Sequence, residues 1–130
     1  MAIPTSFNEA GCHPVVVNIE YNASSVDKIS FVADRAYRVR SVTPRVTVQA
    51  SSGPTTAVVK KAPSATGIAS GTAVHASTIN LAGTNDTNQS IGLSTTTADT
   101  ALAAGDALGV DFTGTMTAAT GVITVVLDPI

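Results

Sequence analysis

The strictest pattern in the chain is the alternation near its C-terminal end. Leu108, Val110 and Phe112 fall on one side of an extended backbone and Gly109, Asp111 and Thr113 on the other; Ile123, Val125 and Leu127 then alternate with Thr124, Val126 and Asp128. A period of two marks a strand with one buried face, so this end of the chain is committed to sheet. Gly114 and Gly121 bracket the segment between the two runs, where backbone freedom helps a reversal. The expectation is a C-terminal hairpin with a broad loop.

The same period runs upstream. Val15, Val17, Ile19 and Tyr21 alternate with Val16, Asn18 and Glu20, and Asn22–Ser25 turns the chain. A second strand sets Ile29, Phe31 and Ala33 against Lys28, Ser30 and Val32; a third sets Tyr37, Val39 and Ser41 against Arg38 and Arg40. Pro44 demands a bend, a bulge or an edge there, with Val46 and Val48 inward beyond it. Thr55–Lys61 is a fourth strand ending in a solvated Lys60–Lys61 pair, followed by a long irregular stretch over 62–74. Ser77–Leu81 and Gln89–Ser94 are the fifth and sixth strands, with a turn over Gly83–Asn88 between them and one helical turn around Ala98–Ala103 after them. With the two C-terminal runs this makes eight short strands and no long helix. The predicted fold is all-β: an eight-stranded antiparallel two-sheet sandwich, with the jelly roll as the form of matching strand number. In a jelly roll the last strand lies inside a sheet, which accounts for the apolar run Val122–Leu127. An immunoglobulin-like sandwich or a small barrel shares this periodicity, because periodicity does not encode strand order.

Residues 1–13 lack periodicity and are expected to form an extended N-terminal arm, leaving 14–130 as a single β-sandwich domain. Cys12 is the only cysteine, so no intrachain disulfide is available. The first residues have neither a basic region nor an apolar run, and no segment approaches the length of a membrane span; we expect a soluble protein made without export. Charged residues make up 12% of the chain, well below the quarter or so of a typical soluble surface, which suits a protein covered by neighbours. All seven basic residues lie between positions 28 and 61 with Asp34 as the one acidic residue among them, although the net charge is −2.

Little in the chain points to chemistry. His13 and His75 have no further ligands at metal-site spacing, and no phosphate loop, nucleophile elbow or paired-cysteine motif is present. Asp106 and Asp111 read as a turn residue bonded to local backbone and a solvent-facing strand residue, not as an acid–base pair. Asn85–Asn88 lacks the ordered spacing of a calcium loop. No enzyme and no cofactor is expected. Arg38 and Arg40 on one outer face, flanked by Arg35 and Arg45, would make a positive stripe. Nucleic-acid binding is disfavoured by the negative net charge and the lack of aromatic platforms among the arginines; docking on an acidic protein surface competes with a solvated face paired to Asp27 and Asp34.

Phe31-Val-Ala with Ala36-Tyr-Arg-Val, Val59-Lys-Lys-Ala-Pro, Ser70-Gly-Thr-Ala, Ile79-Asn-Leu-Ala-Gly-Thr, Leu102-Ala-Ala-Gly-Asp-Ala-Leu and Phe112-Thr-Gly-Thr together resemble small jelly-roll structural proteins of tailed bacteriophages, most of all capsid decoration (cement) proteins, over residues 26–130. The resemblance implies a non-enzymatic virion component on the outer surface of the capsid, made in the bacterial host cytoplasm. Its partner would be the major capsid protein, with self-association as a dimer or trimer and neither membrane nor direct nucleic-acid contact. Candidate capsid-contact residues under that reading are Arg35, Arg38, Arg40 and Arg45, with Ile3 and Phe7 of the arm. The alternative is a tail- or fibre-associated module that binds host glycan or receptor.

Overall fold

The computed structural model describes residues 13–130, so the expected arm, Ile3, Phe7 and Cys12 lie outside the described residues; His13, at its end, is exposed. The strands are β1 (Val15–Tyr21), β2 (Lys28–Val32), β3 (Tyr37–Val48), β4 (Thr56–Ala62), β5 (Thr72–Ala73), β6 (Ile79–Asn80), β7 (Thr87–Asn88), β8 (Ala101–Leu102), β9 (Ala107–Thr113) and β10 (Thr120–Pro129). Two single 3-10 turns, Ile68–Ser70 and Thr97–Thr100, interrupt them.

The strands form two antiparallel sheets packed as a sandwich. The first runs β1-β10-β3, with β7 and β8 both on the far side of β3; the second runs β2-β9-β4, with β5 and β6 both beside β4. Counting β5/β6 and β7/β8 as two interrupted strands leaves eight, ordered 1-8-3-6 and 2-7-4-5, which is the jelly-roll arrangement. The expected all-β sandwich is therefore observed, and β10 is central in its sheet.

One consequence overturns the C-terminal hairpin. β9 pairs with β2 and β4, whereas β10 pairs with β1 and β3, so the segment 114–119 crosses from one sheet to the other. Both runs are strongly apolar because each lies inside its own sheet, and alternation alone does not distinguish that from mutual pairing. In the crossing, Met116 and Ala119 are buried, and the enclosed Thr55 hydroxyl lies 2.8 Å from the carbonyls of Ser52 and Thr115.

The core fills the space between the sheets. Val17, Ile19, Val39, Val42, Ile123, Val125 and Leu127 project from the first sheet toward Val59, Ile79, Leu108 and Val110 of the second. Tyr21 packs on Phe112 with ring centroids 5.8 Å apart, and burial pushes the Tyr21 hydroxyl up to about 12; among the described residues it has no hydrogen-bond partner. Tyr21 faces Gly121 across the β1–β10 ladder, where an added Cβ would sit 2.5 Å from that hydroxyl, so glycine is what admits the ring.

Bulges account for the errors of phase. The ladder of β3 with β10 slips between Ser41 and Val39 and again between Val48 and Val46. Val42, not Ser41, is therefore buried, and Val48 is 41% exposed instead of inward. A slip in β2 between Ile29 and Phe31 likewise leaves Ile29 exposed, while Phe31 and Ala33 stay on the core side and Val32 faces outward as expected. Gln89–Ser94 is not a strand: it supplies only an isolated bridge, Leu93 to His75, and pairing instead occurs at Thr87–Asn88, inside the expected turn. The long stretch after β4 packs on its own domain, with Ile68 buried.

Candidate interaction surface

The surface that the arginines mark is the outer face of the first sheet. The slip next to Arg40 decides its composition. In an uninterrupted strand Arg45 would lie opposite in phase to Arg38 and Arg40; the extra residue brings all three onto the same outer face, along with Thr43. Arg35 is set apart, in the corner before β3.

Two of the four arginines meet a carboxylate within the chain. Arg40 makes a bidentate pair with Asp128, Nε to Oδ2 at 2.9 Å and Nη2 to Oδ1 at 2.6 Å, which raises the guanidinium pKa. Arg35 lies 3.4 Å from Asp34, an exposed and weak contact. The Asp34 carboxyl is held below its usual range chiefly by the Tyr37 hydroxyl, which donates to it at 2.5 Å. Asp27 pairs with no arginine; it accepts the Phe112 amide at 2.7 Å. Arg45 donates to Asn88 at 3.2 Å, a neutral partner that leaves its charge uncompensated, and Arg38 has no bonded side-chain partner among the described residues.

The lysines serve the fold, which corrects the solvated pair. Lys60 Nζ reaches Asp111 at 2.7 Å and the Ala69 carbonyl at 2.8 Å, with only 16% and 20% of the two charged side chains exposed. Asp111 is thus half-buried in an ion pair and not a solvent-facing residue. Lys61 caps the second 3-10 turn through the carbonyls of Ala98 and Ala101. Lys28 donates to the Glu20 carbonyl.

The candidates for chemistry are accounted for structurally. Asp106 accepts the Ala103 amide at 3.0 Å in the turn before β9, where Gly105 takes φ 91° and donates to the Ala33 carbonyl; this explains the Leu102-to-Leu108 fragment as a strand entry. His75 is buried, with Nε2 accepting the Val59 amide at 2.9 Å and Nδ1 against the Ser77 carbonyl at 2.6 Å. Its ring fills the gap between β5 and β6, supplying the acceptor that β4 would otherwise find in a continuous strand. Burial holds its pKa below 6.5. No group of three or more potential metal ligands exists among the described residues. Asn85 accepts the Gln49 amide at 2.7 Å, so its side chain anchors the 83–88 turn to the end of β3.

What sequence reasoning passed over is the lattice between the arginines. Across β1, β10 and β3 the outward residues stand in register as Val16–Val126–Ser41, Asn18–Thr124–Thr43 and Glu20–Val122–Arg45. Thr124 donates to Asn18 at 2.8 Å in the middle row. The alternation of each strand showed which residues share a face, but the rows required the strand order.

No family model matches the chain, and no curated protein does. Among solved structures, a chain from the work titled "Bacillus endospore appendages form a novel family of disulfide-linked pili" is similar at 18% identity and a TM-score of 0.39, over 91% of this chain and 86% of that one.

Proposed function

We propose that this chain is a non-enzymatic structural protein, a phage head decoration protein that binds across major capsid subunits on the outer capsid surface. The observation that carries the reading is Arg38, exposed on a packed sandwich at the margin of the first sheet's outer face and without a bonded side-chain partner among the described residues. That margin offers a charge for register on an acidic partner. The mechanism is mechanical. Each copy adds a modest contact at a capsid seam, and an array of copies multiplies it. The glycan-binding alternative requires exposed rings, and Tyr21, Phe31, Tyr37 and Phe112 all pack in or against the core.

Binding to undecorated capsids over a salt series tests the proposal. Arg38→Ala weakens binding by about threefold to tenfold and flattens the salt dependence, as expected for one charge-assisted contact. Unaltered capsid binding by Arg38→Ala, or retention on host polysaccharide in its place, refutes the reading.

A further inference from the structure

We propose that the outer face of the first sheet is a homodimer interface, its occupant a second copy of this chain related by a two-fold axis parallel to the strands. This is independent of what the protein attaches to. The row Glu20–Val122–Arg45 is negative, neutral and positive across β1, β10 and β3. Glu20 forms no salt bridge among the described residues, Lys28 being bonded to its backbone carbonyl, and Arg45 meets only the neutral Asn88.

A two-fold along β10 exchanges β1 with β3 and keeps each row level with itself. Glu20 of one copy then faces Arg45 of the other, and the reverse pair forms on the far side, while Val122, Thr124 and Val126 each meet their own copies on the axis. An axis across the strands would instead set Glu20 and Arg45 against the row Val16–Val126–Ser41 and leave both charges unmatched. The charge pattern therefore selects one closed arrangement.

The remaining rows fit. Val16, 57% exposed, lies over Ser41 of the other copy; the long side chains of this face are Glu20 and Arg45, which reach across, and Arg40, held by Asp128 beyond the Val16 row. Strands of the facing sheets run aligned, as twisted sheets pack at about −30° with about 10 Å between them. Arg38 lies beyond the lattice, so this contact leaves the residue invoked for capsid docking outside it.

Sedimentation equilibrium on the full chain, from about 1 to about 200 µM, reads the association constant directly. Glu20→Arg and Arg45→Glu each lower it about tenfold or more, and the double variant, which restores a mirrored charge row, returns it to within about threefold of the parent. Both sites are exposed, and matched thermal melts confirm that the variants fold. A second measurement uses a Cys12→Ser background: a short bifunctional maleimide links Val122→Cys into a dimer across facing sheets about 10 Å apart, whereas Ser30→Cys on the other sheet is not linked. A monomer across the whole range, failure of the double variant to recover association, or equal cross-linking from Ser30 overturns the proposal. A parent protein that stays monomeric yet binds capsids refutes the dimer alone, and one that dimerises but does not bind capsids refutes the decoration reading alone.

Discussion

The two outer faces of the sandwich are built on opposite plans. On the first sheet, valine, threonine, asparagine and serine fill most positions across β1, β10 and β3, with Glu20 and Arg45 at opposite ends of one row. On the second, the segment after β4 folds back so that Ile68 sits over Gly109, and Lys60 ties the Ala69 carbonyl to Asp111 beneath it. A backbone can lie that close to a sheet only where a side chain is missing. Glycine in β9 closes one face from within, and β-branched side chains keep the other level for something from outside.

The largest effect should come from filling the closed face. A Cβ at Gly109 would meet the Lys28 carbonyl at 2.2 Å and both Ile29 Cα and Ile68 Cγ1 at 3.0 Å, so backbone must move. Gly109→Ala is expected to destabilise by about 3 kcal/mol in urea unfolding. A change under about 0.5 kcal/mol would mean that the segment over β9 is only loosely held.

Next is the matched comparison of ion pairs. Lys60→Met strands Asp111 with little solvent and leaves the Ala69 carbonyl unbonded, an expected cost of about 2 to 3 kcal/mol. Arg40→Ala removes an exposed pair on the open face and costs about 0 to 1 kcal/mol. Equal losses in thermal melts would remove the distinction between a face that holds the fold and one that does not.

The smallest effect is that of pH. His75 is neutral in the fold, with its pKa held below 6.5 by burial, while the unfolded chain takes up a proton near the ordinary value. Its contribution is complete above pH 6.5 and is lost as the pH falls below it, at no more than about 1.4 kcal/mol per pH unit. Tm measured between pH 7.5 and pH 5.5 should fall, and His75→Gln should remove that part of the slope; a parent protein with a flat profile contradicts the buried-acceptor role.

The sequence by itself determined the strand content, the two-sheet class and the phase of every uninterrupted strand, because side-chain direction alternates locally and burial rewards the apolar side. That is how β1, β4, β9 and β10 were legible, as was the Leu102-to-Leu108 entry turn. Tertiary structure alone decided three things. Whether β9 and β10 pair together or cross between sheets depends on which neighbours lie on each side, and their alternation is the same in both cases. Where the bulges fall depends on ladders between residues far apart in the chain, and one of them puts Arg45 on the face of Arg38 and Arg40 while leaving Val48 exposed. Charge partners are set by strand order: Arg40 meets Asp128, Lys60 meets Asp111, and Glu20 and Arg45 stand at opposite ends of one row. Local spacing carries the direction of a side chain, but its partner is fixed only when distant strands are brought side by side.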